Sequence, residues 1–328
     1  LEFWQADTFD PNTIDRELGW AENIGSNLLR VFVHYMPWQQ DRDGFLSRVD
    51  QFLTIADRHG LRTMLVLHDD CWNPVAKPGP QSPAPPRRIL SNWVQCPGRH
   101  GLEDEKFQDE VLKHYVQDVI QRFKNDHRVA VWDLYNEPGQ GNLIPYGDAE
   151  LPNKVVHTER YLRKVYAWAR QVEPSQPLTS SVWLLDEVFA AMINETLQNL
   201  SGIQDFILSE CDVITFHCYE PVDGFEDYVK KLKVHNRPMI CTEFMARTLE
   251  STVPDLLPYA KQHNIGMVHW GFVSGATNDI YPWDSWAIEY DEEPELWFHS
   301  LFHPDGRPYD QHEIDVYKQC TGRHKAKI

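Results

Sequence analysis

Short apolar runs alternate with longer amphipathic stretches along almost the whole chain of 328 residues. The short runs are rich in Val, Leu, Ile and aromatic residues, and such near-continuous apolar runs are typical of strands buried on both faces of a parallel sheet. They predict seven strands, at Leu28–Val33, Arg62–Leu67, Val129–Tyr135, Leu178–Leu184, Val213–Tyr219, Pro238–Phe244 and Gly266–Val273.

The stretches between these strands carry apolar residues three and four positions apart, which predicts helices with one buried face. In one of them Phe45, Val49, Phe52 and Ala56 recur at this spacing, and Gly60 supplies the signal that ends the helix. Further helices are predicted around Ile14–Ala21, Val111–Phe123, Tyr161–Trp168, Tyr228–Leu232, Leu256–Ala260 and Ile314–Tyr317.

Strands that alternate with helices favour an α/β fold, and we expect a (β/α)8 TIM barrel in which residues 1–328 form one catalytic domain. A closed barrel needs eight strands, whereas a helix precedes Leu28. We therefore expect the first strand to lie upstream of Leu1 or to be formed irregularly by Leu1–Trp4. An open doubly wound sheet is the alternative, but that fold needs a glycine-rich phosphate turn after an early strand, and the sequence has none.

The composition limits the kinds of partner. Lys and Arg number 31 against 49 Asp and Glu, a formal net charge of −18 that repels nucleic-acid phosphates, so no nucleic-acid partner is expected. No run approaches the ~20 apolar residues of a membrane helix, so no membrane partner is expected either. Residues 1–10 lack the basic start and apolar run of a signal peptide. The compartment stays open, with a secreted or periplasmic location favoured over the cytoplasm.

Polar side chains at the carboxyl ends of the predicted strands mark the place where a barrel holds its active site. Two of them are the glutamates Glu137 and Glu243, and two carboxylates on opposite sides of a barrel can face each other across a sugar. Hydrolysis with retention needs them ~5–5.5 Å apart, and inversion ~6.5–9.5 Å. The other polar or aromatic residues at these ends are Arg30, His34, His68, Asp69, Asp70, Asn136, His217, Tyr219, Glu220, His269 and Trp270.

Two of these strand ends carry a family resemblance. The segment Trp132–Pro138 ends in Asn-Glu-Pro and resembles the signature of glycoside hydrolase clan A, particularly of family 5 cellulase-like glycosidases. The segment Cys241–Phe244 resembles the nucleophile strand of that family. Arg30, the triplet His217–Tyr219 and Trp270 also fit the family pattern in order, so the resemblance covers nearly the whole chain.

The resemblance implies a retaining hydrolase of β-glycosidic bonds in poly- or oligosaccharides, with no metal and no cofactor. Glu137 would protonate the glycosidic oxygen and later activate water, while Glu243 would attack the anomeric carbon. The residues expected around the sugar are Asn136 at its 2-hydroxyl, Trp270 beneath its ring, Arg30 and Tyr219 on the nucleophile, His217 orienting the acid or binding a hydroxyl, His34, His68 and Asp69 at other hydroxyls, and Trp72 and Trp283 as further aromatic contacts.

Several alternatives stay open at this level. Glu220 also follows a predicted strand, but it lacks the preceding Asn and ranks below Glu137. A non-catalytic sugar-binding protein on the same scaffold would have no need of both glutamates. A metal-dependent hydrolase could use the segment His68–Asp70, but the His-x-His spacing of such barrels is absent. Two long loops, residues 73–97 and 274–291, favour action on chain ends or short oligosaccharides; the sugar and the linkage stay open.

Overall fold

The computed structural model describes residues 1–81, 85–89, 93–183 and 197–322. Each of the seven predicted runs contains a strand, and the run from Leu178 is divided at Ser180 into two short strands; Leu184, its last predicted residue, lies outside the described residues. The strands are β1 Leu28–Phe32, β2 Arg62–Val66, β3 Val129–Asp133, β4 Leu178–Thr179, β5 Ser181–Val182, β6 Ile214–His217, β7 Met239–Glu243 and β8 Gly266–Met267.

The strands form two parallel four-stranded sheets, in the orders β1-β2-β3-β4 and β5-β6-β7-β8. Because β4 and β5 lie in one run of chain, the ring of strands continues from the first sheet to the second. In the described residues no strand lies between β8 and β1, and a groove lined by both occupies that place. Glu2–Trp4 form a turn of 3-10 helix, so the expectation that Leu1–Trp4 make an irregular first strand is wrong.

Apart from β4 and β5, which share one run of chain, successive strands are connected by helices, as the spacing of apolar residues predicts. All of the predicted helices are present, although Val111 and Leu112 belong to a π-helical segment, Gln108–Leu112. Within the described ranges, no helix combines the length and the apolar character needed to cross a membrane. The helices are α1 Pro11–Ile24, α2 Tyr35–Gln40, α3 Arg42–Arg58, α4 Gly98–Glu103, α5 Glu105–Phe107, α6 Lys113–Phe123, α7 Leu143–Tyr146, α8 Lys154–Val172, α9 Leu197–Glu210, α10 Val222–Lys233, α11 Val253–Gln262 and α12 Gln311–Thr321.

Helix α3 shows how the local sequence sets these boundaries. The carboxylate of Asp41 accepts a hydrogen bond from the backbone N–H of Gly44 at 3.1 Å and so caps the first turn. At the other end Gly60 has a φ of 72°, the left-handed conformation that glycine adopts without a steric penalty. The N–H of Leu61 then bonds to the carbonyl of Ala56 at 3.0 Å, which turns the chain directly into β2.

The apolar side chains form one large core and one small cluster. The core fills the interior of the ring of strands and the space between the strands and the helices, and it includes the fully buried Trp132 and Tyr135. The small cluster, called here the satellite cluster, lies near the carboxyl ends of the strands, under the long loops. Its buried members are Ile89, Tyr219, Ala246, Tyr281 and Phe298.

Candidate active site

The carboxyl ends of β3 and β7 bring two buried glutamates together. Glu243 is the last residue of β7, and Glu137 follows the end of β3. Their exposed fractions are 6% and 9%, and one oxygen of each carboxylate lies within 4.8 Å of the other. They face a cavity of about 560 Å³, its mouth included, that is lined by Asp69, Cys71, Trp72, Asn136, Glu137, Gln140, Asn142, Tyr219, Glu243, Trp270, Trp283 and Trp286.

The carboxylate of Glu243 is held by two donors. The guanidinium of Arg30 donates to Oε1 at 2.8 Å, and the hydroxyl of Tyr219 donates to Oε2 at 2.7 Å. Burial raises the pKa of Glu243, and the charge of Arg30 and the two hydrogen bonds oppose that rise because they stabilise the ionised form. Arg30 also pairs with the buried Asp133 at 2.9 Å, which fixes the direction of its guanidinium.

Glu137 lies in a different electrostatic environment. Burial raises its pKa well above the usual range, and the negative charge of Glu243 raises it further. Nδ1 of His217 is 2.6 Å from Oε1 of Glu137 and 3.5 Å from Oε2 of Glu243. Burial lowers the pKa of His217 well below its usual value, which favours the neutral ring. The thiol of Cys71 donates to Oε2 of Glu137 at 3.1 Å. The thiol contact opposes this rise in pKa, but burial and the charge of Glu243 outweigh it, so the surroundings of Glu137 favour its protonated form.

The backbone at Glu137 is held in an unfavourable conformation. Its φ is 39°, in the left-handed region that costs a non-glycine residue about 1–3 kcal/mol. The buried carboxylate of Asp70 stabilises the turn that follows. It accepts hydrogen bonds from the N–H of Gly139 at 2.7 Å, from Thr158 at 2.7 Å and from the hydroxyl of Tyr135 at 2.9 Å. Asp70 thus links the segment after Glu137 to helix α8, and this link holds Glu137 in position.

We expect Asp70→Ala to lower the free energy of unfolding by about 3 kcal/mol, because three buried donors lose their acceptor. The turn at Gly139 loses its anchor, so activity falls as well. Thermal unfolding followed by circular dichroism, together with initial rates on an aryl β-glycoside, checks both effects. The exposed Asp57→Ala is the matched control. An Asp70→Ala protein with wild-type melting temperature and wild-type rate would contradict the positioning role.

Asp69, the neighbour of Asp70, points into the cavity instead. Oδ1 of Asp69 accepts hydrogen bonds from the side-chain amide of Asn136 and from the N–H of Cys71, both at 2.9 Å, and Oδ2 accepts one from the indole of Trp93 at 2.7 Å. The carbonyl oxygen of the Asn136 side chain receives a 2.6 Å hydrogen bond from Arg30. With a donor on one side and an acceptor on the other, the Asn136 amide has one favourable orientation.

Aromatic side chains form much of the cavity wall. Trp270 follows β8 and packs edge-to-face against Phe32, with ring centroids 6.0 Å apart. Trp283 packs edge-to-face against Tyr219 at 5.0 Å, so it supports one of the donors to Glu243. Trp72 and Trp286 meet edge-to-face at 5.5 Å. Flat apolar faces of this kind suit the apolar faces of sugar rings.

Four of the residues predicted to bind the substrate do not line the cavity. Arg30 and His217 contact the two glutamates, and His34 and His68 point into the protein. His34 caps helix α2 by accepting the N–H of Met36 at 3.1 Å, and its other ring nitrogen is 3.1 Å from the carbonyl of Gln95. The ring nitrogens of His68 are each 2.9 Å from a partner, the carbonyl of Leu134 and the hydroxyl of Tyr161. Each ring nitrogen of His34 and His68 thus has a hydrogen-bond partner within the protein. The expectation that they contact sugar hydroxyls is wrong, and both are packing residues.

The structure also adds cavity residues that the sequence reasoning did not name. Cys71 directly follows the His-Asp-Asp segment, and Gln140 and Asn142 follow the Asn-Glu-Pro segment. The signal in the sequence that could have found them is their position just past these strand ends. The competing carboxylate Glu220 is half-buried and does not line the cavity. Cys71 and Cys96 do not form a disulfide with each other, since both are free thiols.

The same site contains a group of side chains that could ligate a metal ion. Glu137, His217 and Glu243 each offer one ligand atom, and these atoms lie within 4.8 Å of one another. The guanidinium of Arg30, 2.8 Å from Glu243, already supplies positive charge at that carboxylate. This fixed positive charge would weaken the attraction of the same carboxylate for a dication.

A parallel strand-and-helix fold with paired carboxylates over an aromatic-lined cavity defines an O-glycosyl hydrolase of the barrel class. The family model of cellulase, glycosyl hydrolase family 5, matches residues 19–275, and the chain belongs to that family. The (β/α)8 barrel is the fold of this family, as the alternation of strands and helices predicts. No curated protein matches the chain.

Solved structures with a similar fold are distant in sequence. The endo-β-1,4-mannanase of Thermotoga petrophila has a TM-score of 0.62 at 14% identity, over 97% of this chain and 74% of that one. The endo-1,4-β-mannanase of Rhizomucor miehei has a TM-score of 0.59 at 13% identity, over 100% and 94%. A β-glucuronidase of Bacteroides uniformis has a TM-score of 0.56 at 15% identity, over 99% of this chain and 34% of its own. At these identities the likeness shows the fold alone.

Proposed function

We propose that the protein hydrolyses β-glycosidic bonds of poly- or oligosaccharides with retention of configuration, with Glu137 as general acid and base and Glu243 as nucleophile. The observation that carries this proposal is the approach of the two carboxylates to within 4.8 Å. That spacing suits direct attack by one carboxylate, since an inverting pair stands about 6.5–9.5 Å apart to admit a water molecule.

The electrostatics divide the two roles. Glu243 accepts hydrogen bonds from Arg30 and Tyr219, which favour the ionised nucleophile. Glu137 stays protonated beside that charge and can donate its proton to the leaving oxygen. Once Glu243 is bonded to the anomeric carbon its charge is gone, so the pKa of Glu137 falls and the carboxylate can remove a proton from water. One pair of residues thus serves both half-reactions.

The remaining cavity residues have roles that follow from their chemistry. We expect Asn136 and Asp69 to bind sugar hydroxyls, because both line the cavity and are fixed in direction. Trp270, Trp283 and Trp72 offer apolar surfaces to sugar rings. In the described residues, the cation nearest to the nucleophile is Arg30, whose guanidinium is already shared by Asp133, Glu243 and Asn136. A neutral sugar therefore fits this cavity better than the uronic acids that the Bacteroides uniformis enzyme is named for.

The test is hydrolysis of a panel of β-linked oligosaccharides and aryl β-glycosides of mannose, glucose, galactose and xylose. NMR spectroscopy of the first-formed product reports its anomeric configuration. A β product supports double displacement, and an α product would replace it with inversion. Absence of hydrolysis across the panel would favour a sugar-binding protein without catalysis, which isothermal titration with the same oligosaccharides would then detect.

We expect EDTA to leave the rate unchanged, since double displacement by two carboxylates uses no metal ion. Rates measured before and after dialysis against EDTA check this directly. Loss of activity that added zinc restores would instead support the metal-dependent hydrolase, with Glu137, His217 and Glu243 as its ligands.

A further inference from the structure

Two long loops meet above the cavity. The Pro-rich loop, residues 73–97, follows β2, and its described residues are 73–81, 85–89 and 93–97; the Trp loop, residues 274–291, lies beyond β8. Around the ring of strands, β1 stands between β2 and β8. A contact between the two loops therefore passes over the carboxyl end of β1, on one side of the two glutamates.

The strongest link between the loops is an apolar anchor. Ile89 of the Pro-rich loop is only 1% exposed, and it lies in the satellite cluster with Tyr281 of the Trp loop and with Phe298. Its backbone N–H donates to Oγ of the fully buried Ser285 at 2.9 Å. A hydrogen bond shielded from water in this way is costly to break, since both groups would need new partners.

Polar contacts extend this link. The side-chain amide of Asn278 donates to the carbonyls of Pro85 at 3.1 Å and Arg88 at 3.0 Å. Arg87 forms an ion pair with Glu289 at 2.7 Å, but both side chains are more than 40% exposed, so this pair adds little. The loops are therefore held mainly by Ile89 and Asn278.

The bridge forms part of the cavity wall. Trp72 directly precedes the Pro-rich loop and Trp286 belongs to the Trp loop; both line the cavity and their rings meet at 5.5 Å. A polysaccharide cleaved in its interior must extend from the glutamates in both directions. Because the bridge lies on the β1 side of the glutamates, a substrate chain that extends toward that side would meet it.

We propose that this bridge makes the protein act on chain ends and short oligosaccharides, and that it excludes the interior of long polysaccharides. The inference rests on the proposed function, because it assigns the part of the substrate that the same cavity accepts. Ile89, Ser285 and Asn278 are the residues that determine this selectivity, and none of them lines the cavity.

The wild-type protein is tested first on soluble β-mannan, β-glucan and xylan. We expect monosaccharides or short sugars to appear while the viscosity stays nearly constant, and we expect cyclic β-glucan, which has no ends, to resist cleavage. A viscosity that collapses early, with long products, would overturn the bridge proposal while leaving the proposed hydrolysis intact. Failure to cleave any β-glycoside, tetrasaccharides included, would instead count against the proposed function.

The variants Asn278→Gly and Ile89→Ala release the bridge. Glycine keeps the left-handed backbone at position 278, where φ is 54°, and removes only the side-chain contacts. We expect the ratio of viscosity loss to reducing ends to rise several-fold, with the rate on short substrates preserved. Glu292→Ala, at an exposed position just beyond the Trp loop, is the control. An unchanged ratio in folded Asn278→Gly would contradict the proposal. If Ile89→Ala does not fold, Asn278→Gly and the products of the wild-type protein still test the proposal.

Discussion

Replacing Glu243 with alanine is expected to lower kcat by about 10⁵-fold, or roughly 7 kcal/mol of activation free energy, because no other group can form the covalent intermediate. The variant should still fold, since Arg30 retains Asp133 and Asn136 as partners. Initial rates on a dinitrophenyl β-glycoside measure the loss. Glu220→Ala, which removes the half-buried glutamate after β6, is the matched control and should retain most of its activity.

Added azide distinguishes loss of a nucleophile from general damage. In Glu243→Ala, azide can occupy the space of the missing carboxylate and attack the anomeric carbon, while Glu137 still protonates the leaving group. The expected product is the α-glycosyl azide, inverted relative to the substrate, and NMR spectroscopy identifies it. A β-glycosyl azide from this variant would mean that Glu243 is the acid and that the two roles are exchanged.

The second large effect is expected for Glu137→Ala, and its size should depend on the leaving group. Proton donation contributes about 10²–10⁴-fold when the leaving oxygen is a poor one, as in an unactivated oligosaccharide. A dinitrophenolate leaves without that help, so its departure should be slowed far less. A series of aryl β-glycosides of increasing phenol pKa measures this dependence. Equal slowing across the series would remove Glu137 from the role of acid.

The pH dependence of the rate offers a second test of the role of Glu137. In the wild type, kcat/KM should fall as the pH rises through the pKa of Glu137, because the ionised carboxylate cannot donate a proton. It should also fall as the pH drops through the pKa of Glu243, because the protonated carboxyl cannot attack. Burial raises the pKa of both glutamates, and it raises that of Glu137 more strongly. The alkaline limb therefore reports Glu137 and the acidic limb reports Glu243. Glu137→Gln should lose the alkaline limb and keep the acidic one.

The sequence located the strand ends but not the direction of each side chain there. Asp69 and Asp70 are adjacent, yet Asp69 lines the cavity and Asp70 points back toward α8. His34 and His68 also follow strands, and both point into the protein. The direction of a side chain at a strand end depends on the residue at which the chain leaves the pleated sheet. Packing against neighbouring strands decides which residue that is. Single-sequence patterns carry little of that information.

Cys71 shows a second kind of limit. Cysteine is more often an inert buried thiol than a cavity residue, so no local pattern marked Cys71 as part of the cavity. The structure places its thiol 3.1 Å from Glu137, because the chain turns sharply after Asp70 and the next residue, Trp72, adopts a φ of 74°. A conformation of that kind arises from tertiary contacts around the turn.

The sequence by itself determined the alternation of strands and helices, the family, and the position of two glutamates at strand ends, because apolar periodicity and a short motif are local properties of the chain. Only the tertiary structure decided that Asp70 points toward α8, that His34 and His68 are packing residues, and that Ile89 contacts Ser285, 196 positions away in sequence. These features depend on contacts between residues distant in sequence, which form only when the whole ring of strands assembles and removes them from water.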